Sequence, residues 1–342
     1  GRDRVPPWFY FFSCCMVSLG TMFSSFWILC NNSWMQVPLG HAFVDGKIVP
    51  DDWWAITIGP IVRIRWPHML LAAFLTTGMS VIATGAWHMM WGRHEAESRV
   101  MLHWGLGLVA VIIPIQMVFG HLTGEYVLHY QPEKFAAIEA RWQTQQPATE
   151  VLMAIPDPWA QSNLYAIEVP RLGSFIASGD WTAKEIGLDA FPPDDRPPVI
   201  IPFFAFRLMV GMGLIMVAIS WVGVVLIWRG RLERARWFLW AAFLSFPTGF
   251  VAVLCGWYTA EVGRQPWVVY HILRTEDAIT PSLTGGVALF SLIAYLAVYV
   301  VVYAFGLTYI YRLLRRGPAA EPEAVSQLPG RAIAVALEGR EL

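Results

Sequence analysis

The sequence predicts an all-α membrane protein, a polytopic bundle of about six transmembrane helices. Hydrophobic residues make up 56% of the 342-residue chain and charged residues only 14%, which is outside the usual range of soluble domains. Six apolar stretches have the length expected of helices that cross the hydrocarbon core of a bilayer. Positive charge clusters between alternate stretches, as the positive-inside rule requires of a membrane protein.

The six predicted spans are interrupted by one long polar connection. The spans cover residues 8–30, 67–91, 100–120, 199–228, 237–255 and 283–311. Residues 121–198 form the polar connection, and a connection of that length usually carries function. We therefore predict one membrane domain over residues 1–316, with the polar connection as an external loop. Residues 317–342 are rich in Ala, Pro and Glu, which predicts a disordered cytoplasmic tail.

Positive charge predicts the orientation of the spans. Arginine clusters at residues 1–4, 93–99, 229–236 and 312–316. The positive-inside rule places all four clusters in the cytoplasm, so both ends of the chain are expected there. The connections on the other side are then those at residues 31–66, 121–198 and 259–282. Because the net charge is only −1, the composition indicates no nucleic-acid partner.

The most informative stretch follows the fifth span and reads Gly-Trp-Tyr-Thr-Ala-Glu-Val-Gly-Arg-Gln-Pro-Trp, residues 256–267. An ionisable residue where a membrane helix reaches water is a functional candidate. In a continuous helix Trp257, Glu261 and Arg264 share one face, since they are three and four residues apart. The alternative is interface anchoring, with indoles at headgroup level and Arg264 on lipid phosphates. Anchoring does not explain Glu261, because an acid gains nothing from lipid phosphates.

Three further side chains stand out in or beside the apolar spans. His68 lies at the start of the second span, where a histidine is more often capped or solvated than a ligand. His88 lies twenty residues later, about 30 Å along the same helix, so the two histidines cannot flank one cofactor. Arg207 lies about two turns inside the fourth span and needs an anionic partner there. Met209 follows, and packing is the usual fate of a methionine in an apolar helix.

Two motifs give the chain a family resemblance. Glu-x-Gly-Arg-Gln-Pro-Trp at residues 261–267, preceded by Gly-Trp, and Trp-Met-Gln-x-Pro at residues 34–38 are similar to signatures of subunit I of the cytochrome bd-type quinol oxidases. The resemblance extends from the first span to the sixth. It implies the short quinol-loop form of the subunit. It also implies that this chain corresponds to the C-terminal two thirds of about nine spans and lacks an N-terminal part.

The resemblance implies heme-binding roles for several of these side chains. Glu261 is expected to ligate a high-spin b-type heme, with Trp257 beside it and Arg264 near heme propionates. His68 and Met209 are expected to be the two axial ligands of a low-spin b-type heme. His/Met ligation is established heme chemistry and raises the reduction potential. A third heme, of d or b type, is implied as the oxygen-reducing centre, which this chain cannot supply in full.

Residues 131–142 read as a short amphipathic helix in the external loop. Lys134 and Glu139 flank its apolar stripe, and the pattern alone favours a solvated helix on the membrane surface. The resemblance implies instead a quinol-binding loop in which these two residues act at quinol oxidation. A carboxylate can accept a proton from quinol, and a cation can steady the developing anion. Where the family commonly has Gly-Asp, this chain has Gly120 and His121, which removes an acidic side chain from that position.

The implied function is that of a quinol-oxidising, oxygen-reducing terminal oxidase in the respiratory chain of a bacterial cytoplasmic membrane, with a heme propionate as the partner of Arg207. The expected partners are subunit II, a small single-helix subunit, quinol, oxygen and membrane lipids. One alternative is a membrane diheme cytochrome that oxidises quinol without reducing oxygen. Another is a heme-free transporter with Arg207 and Glu261 on a substrate path. A transporter predicts repeated, broken spans in two halves, and the sequence shows no such repeat.

Overall fold

The computed structural model of the protein describes residues 5–317 and confirms the all-α membrane bundle. The predicted tail of residues 317–342, apart from residue 317, and the basic cluster at residues 1–4 lie outside the described residues. Within the described range the helices are α1 Pro7–Gln36, α2 Trp53–Ile58, α3 Pro60–Met90, α4 Glu95–Tyr130, α5 Pro132–Ile138, α6 Leu172–Ser178, α7 Ile200–Trp228, α8 Arg236–Leu244, α9 Thr248–Val262 and α10 Gly285–Arg316.

Six segments of the described chain are long and apolar enough to cross a membrane, as predicted. They are Pro7–Gln36, Trp53–Met90, Glu95–Tyr130, Ile200–Trp228, Arg236–Val262 and Gly285–Arg316. The second segment combines α2 with α3, and the fifth combines α8 with α9. The fifth is interrupted at Pro247, which has no N–H to donate and clashes with the preceding turn of a continuous helix.

The second and third spans are longer than predicted. The helix α3 begins at Pro60 rather than Pro67, so His68 lies two turns inside the helix and not in its first turn. An internal proline costs about 3 kcal/mol, but α3 packs along much of the length of α4, and this packing outweighs the lost hydrogen bond. The helix α4 continues to Tyr130, so the first ten residues of the predicted external loop are helical.

Three antiparallel hairpins occupy connections that were predicted only as loops. The paired strands are β1 His41–Val44 with β2 Lys47–Pro50, β3 Glu150–Asp157 with β4 Ser162–Val169, and β5 Trp267–Val269 with β6 Leu273–Arg274. All three hairpins lie in the connections that the charge pattern places outside.

Small residues set the distances between the helices that carry the site. A Cβ on Gly105 of α4 would stand 2.8 Å from Cγ1 of Ile82 on α3, so only glycine permits this approach. A Cβ on Gly249 of α9 would stand 2.6 Å from Cα of Thr76 on α3. The start of α9 is therefore held against α3, and α7 also packs along α9.

Three of the predicted cytoplasmic clusters meet at one end of the bundle. Arg99 Nε donates to Glu233 Oε1 at 2.5 Å, which joins the start of α4 to the turn before α8. His88 Nε2 donates to the carbonyl of Leu314 at 2.9 Å, and His94 Nε2 donates to that of Arg316 at 3.2 Å. His88 is thus a structural residue at the end opposite His68, as its spacing predicts.

Candidate functional site

The end of α9 and the end of α1 form a polar cluster around Glu261. Glu261 Oε2 accepts from Arg264 Nη2 at 2.6 Å, so the two residues share a face as their spacing predicts. Glu261 Oε1 accepts from Asn32 Nδ2 at 2.9 Å and from Gln36 Nε2 at 3.4 Å. Trp257, one turn earlier on α9, is half-buried. The carboxylate therefore has one oxygen on a cation and one oxygen on neutral amides only.

Arg264 retains buried donors that no described residue accepts. Its side chain is 7% exposed, and within residues 5–317 neither Nε nor Nη1 has a hydrogen-bond partner. Trp34 Nε1 and Trp267 Nε1 are likewise buried without an acceptor among these residues. Unsatisfied buried donors on a charged group are costly. They fit an additional anionic group beside Arg264, and the carboxylates of a heme have that chemistry.

His68 lies on α3 with its ring turned toward α4. Its Nε2 is 3.4 Å from Nε2 of Gln116, with the ring nitrogen as acceptor, and its Cε1 lies 3.6 Å from the position of a Cβ on Gly120. Its Nδ1 is buried and has no hydrogen-bond partner in the described chain. A buried imidazole with an unused nitrogen beside a glycine fits an axial heme ligand.

Met209 lies on α7 with its sulfur turned toward α9. Its Sδ would be 3.2 Å from a Cβ on Gly256, so the glycine makes room for the thioether. His68 and Met209 are therefore on different helices, as predicted, and turn to different neighbours. The described contacts do not join the two side chains to each other.

Arg207 finds its anionic partner in the protein, whereas the sequence led us to expect a heme propionate. Its Nη2 donates to Glu139 Oε2 at 3.1 Å, and its Nη1 donates to the carbonyl of Ile138 at 2.8 Å. Its Nε donates at 3.0 Å to the carbonyls of Val151 and Leu152. The external loop folds back over α7 and supplies these acceptors, so the guanidinium is already satisfied.

The helix α5 is buried inside the protein, so it is not the solvated helix on the membrane surface that its pattern favours. The side chain of Lys134 is almost fully enclosed, and Nζ donates to Gln36 Oε1 at 2.8 Å, Gln131 Oε1 at 3.2 Å and the carbonyl of Ala260 at 2.9 Å. Burial, with the positive charge of Arg65, lowers the pKa of Lys134 well below its usual range, while Glu261 opposes the shift.

Arg65 belongs to the same cluster and was missed in the sequence. It is buried on α3, where Nη2 donates to Asn32 Oδ1 at 2.7 Å and Nη1 donates to Ser33 Oγ at 3.3 Å. It thereby positions Asn32 against Glu261. We expected the second span to begin at residue 67, which left Arg65 in a loop. An arginine two residues before the predicted start of a span was the available signal.

A second missed cluster attaches α5 to the β5–β6 hairpin. The hydroxyl of Tyr270 donates to Glu133 Oε2, and His271 Nε2 donates to Glu133 Oε1 at 3.2 Å. Glu133 is buried, and the burial of Tyr270 together with the Glu133 carboxylate raises the pKa of Tyr270. The cluster holds the segment after Arg264 against α5, the helix of the external loop.

Comparisons with known proteins agree with the resemblance in the motifs. Residues 1–318 match the family model described as cytochrome bd terminal oxidase subunit I. The chain is 30% identical over 332 residues to cytochrome bd ubiquinol oxidase subunit 1 of Bacillus subtilis (strain 168), covering 93% of this chain and 70% of that protein. It is 26% identical over 390 residues to cytochrome bd-II ubiquinol oxidase subunit 1 of Escherichia coli (strain K12), covering 94% and 75%.

A solved structure shows the same fold. The structure of bd oxidase from Geobacillus thermodenitrificans is similar with a TM-score of 0.82 and 27% sequence identity, covering 92% of this chain and 72% of that one.

Proposed function

The chain belongs to the cytochrome bd terminal oxidase subunit I family, and from that membership we propose how its residues divide the work of a quinol oxidase. It is a subunit of a heme-containing, multi-subunit oxidase of a bacterial membrane. The diheme cytochrome and transporter alternatives are not favoured by the comparisons. What remains to be assigned is which side chains bind hemes, which act on quinol, and how the chain is oriented.

We assign His68 and Met209 to a low-spin b-type heme and Glu261 to a high-spin b-type heme. Bound hemes would supply one-electron acceptors for quinol and a route for its electrons to oxygen, with a third heme of d or b type as the oxygen-reducing centre. Oε1 of Glu261 has only neutral amide donors, so it is the oxygen that we assign to the iron. Arg264 retains Oε2 and directs its spare donors to a propionate.

We assign quinol oxidation to the two ends of α5. The observation that carries this assignment is the position of Lys134 and Glu139. Lys134 contacts the carbonyl of Ala260, next to Glu261, and Glu139 contacts Arg207, two residues before Met209. The loop helix therefore reaches both proposed heme-ligand positions. Glu139 is the proton acceptor, and Lys134 steadies the anion that quinol becomes as it loses protons.

The proposed orientation places quinol oxidation outside and both ends of the chain in the cytoplasm. It is supported by the meeting of three basic clusters at the end of the bundle opposite α5. The companion chains are proposed to be subunit II and a small single-helix subunit, with membrane lipids around the bundle. Protons released by quinol then leave on the outer side of the membrane.

The test is a reduced-minus-oxidised spectrum of the purified complex, together with oxygen uptake driven by quinol. The assignment expects two b-type signals that respond separately to substitutions at His68 and Glu261. A red-shifted d-type band identifies the third heme as d-type. A complex with both b hemes that takes up no oxygen with quinol would contradict the assignment.

A further inference from the structure

Arg207 faces two carboxylates in one enclosed space. Its Nη2 lies 3.1 Å from Glu139 Oε2 and 3.9 Å from Glu150 Oε1. The exposed fractions of the three side chains are 12% for Arg207, 9% for Glu139 and 13% for Glu150. The other donors of Arg207 go to backbone carbonyls at the end of α5 and in β3. The guanidinium is therefore fixed between the two acids and cannot pair fully with both.

One guanidinium does not balance two enclosed carboxylates. A carboxylate that faces another carboxylate is harder to ionise than one that stands alone. Burial and the facing Glu139 raise the pKa of Glu150 to about 8, while Arg207 and Arg141 act in the opposite direction. Arg141 has its own buried acid, Glu185, at 3.8 Å. Near neutral pH the pair of Glu139 and Glu150 therefore holds one proton.

We propose that Glu139 and Glu150 share this proton and act together at quinol oxidation, with Glu150 passing protons from Glu139 to the outer water. The proposal rests on the assignment of α5 to quinol oxidation and extends it to a residue that no motif indicated. Glu150 is suited to the outer position because it begins β3, whose following residues Leu152 and Met153 are half exposed.

The proton balance is complete for each quinol. The pair begins with one proton. A quinol hydroxyl gives its proton to the ionised carboxylate, so both acids are briefly neutral, and Glu150 then releases one proton to water. The same exchange occurs for the second hydroxyl, while the two electrons go to the acceptors that the oxidase supplies. One quinol yields one quinone, two electrons and two protons, and the pair returns to its starting state.

The experiment compares Glu150→Gln with a matched control in the purified complex. Glu168→Gln is the control, because Glu168 lies on β4 opposite Val151 but is exposed. Quinol-driven oxygen uptake is measured from about pH 6 to about pH 9, and Glu150→Gln is expected to lower kcat roughly tenfold and to remove the pH dependence near 8. KM and the heme spectra stay unchanged, and the control behaves as wild type. An unchanged pH profile in Glu150→Gln would overturn the proposal.

A second readout does not depend on turnover. A neutral, buried carboxyl group gives an infrared carbonyl band that shifts in heavy water, and this band should be lost in Glu150→Gln. Retention of the band in that variant would also overturn the shared proton. Glu139→Gln distinguishes the role of α5 in quinol oxidation from the shared proton. A wild-type rate in Glu139→Gln would overturn the assignment of α5 to quinol oxidation, and the infrared band would still decide whether the pair holds a proton.

Discussion

Lys134 donates from Nζ to the backbone carbonyl of Ala260 at 2.9 Å, one residue before Glu261. The loop helix is thereby fastened to the end of α9. At the other end of the same helix, Glu139 meets Arg207, two residues before Met209. Because α5 contacts the surroundings of the proposed ligands without including one, its polar side chains can be changed independently of heme binding.

Lys134→Met is expected to slow quinol oxidation and to leave the heme content intact. It removes the Nζ donors and leaves the acceptors of Gln36 and Ala260 unpaired, at a cost of about 1–3 kcal/mol in stability. Loss of one donor to a developing anion lowers kcat by roughly 10²-fold. Oxygen uptake with quinol is the measurement, and Lys184→Met, on the exposed part of the same loop, is the control. Wild-type turnover in Lys134→Met would contradict the assignment.

His68→Ala and Met209→Leu are each expected to remove or convert the low-spin heme while the high-spin b heme stays in place. Each variant removes one axial ligand from a different helix. Reduced-minus-oxidised spectra measure both hemes in one sample. His88→Ala is the matched control, since it removes a buried histidine from the opposite end of α3. A normal low-spin spectrum in both ligand variants would end the assignment.

The sequence was sufficient for the bundle and for the helix on which each candidate lies. Polar groups are costly in hydrocarbon, so membrane spans are long apolar runs and arginines cluster in the connections between them. Both features can be recognised in the sequence without a structure. The position of Arg65 inside a helix could not be predicted, because Pro67 is a typical first residue of a helix. The packing of α3 against α4, which extends the helix to Pro60, has no signal in the sequence. Asn32 had no apparent role for the same reason, since it acts only through Glu261 and Arg65.

Arg207→Gln is expected to loosen the external loop and to leave the low-spin heme in place. Removing one partner of an enclosed ion pair costs about 3–5 kcal/mol, and here it leaves Glu139 and Glu150 without their cation. Limited proteolysis of the loop measures the loosening, and quinol oxidation should slow with it. Arg196→Gln, which removes only a bond to the carbonyl of Phe191, is the control. If Arg207→Gln loses the low-spin heme while the loop stays resistant to protease, the result would support a heme propionate as the partner of Arg207.

The burial of α5 could not be predicted from its own sequence pattern. Lys134 and Glu139 flank an apolar stripe, and polar residues beside such a stripe normally lie on a solvated face of the helix. The structure buries that face as well, because α1, α7 and α9 present acceptors and a guanidinium to it. Partners that lie about 70 to 130 residues away in the chain leave no local trace in the sequence.

The stability of the loop is expected to fall as the pH rises, and Glu150→Gln should remove this dependence. Glu150 has a folded-state pKa of about 8, above that of an unfolded glutamate, so folding favours its protonated form. Its stabilising contribution is full below the unfolded pKa and is lost as the pH rises toward 8. The half-life of the loop in limited proteolysis should therefore shorten over that range in the wild type only. A parallel decline in Glu150→Gln would contradict the role of Glu150.

Glu261 is the remaining assignment, and its test depends on charge. A ferric heme carries net positive charge, so an anionic oxygen ligand is favoured over a neutral one in a low-dielectric site. Glu261→Gln keeps the size of the side chain and loses the charge, so it should weaken or lose the high-spin b heme. Glu261→Asp keeps the charge with a shorter reach, so it should retain heme with altered ligand-binding spectra.

Arg264→Lys completes the test of this site. Lysine keeps a positive charge but loses the planar fork that now holds Glu261 Oε2 with one nitrogen and leaves two buried donors for a propionate. The variant should therefore bind the high-spin heme more weakly without losing it. A spectral titration with added heme measures this change in affinity. The low-spin heme should survive in all three variants, because His68 and Met209 make no hydrogen bond to Glu261 or Arg264 within residues 5–317. A full complement of high-spin heme with normal spectra in Glu261→Gln would show that Glu261 is not the ligand. The cluster around it would then be a structural anchor between α1 and α9.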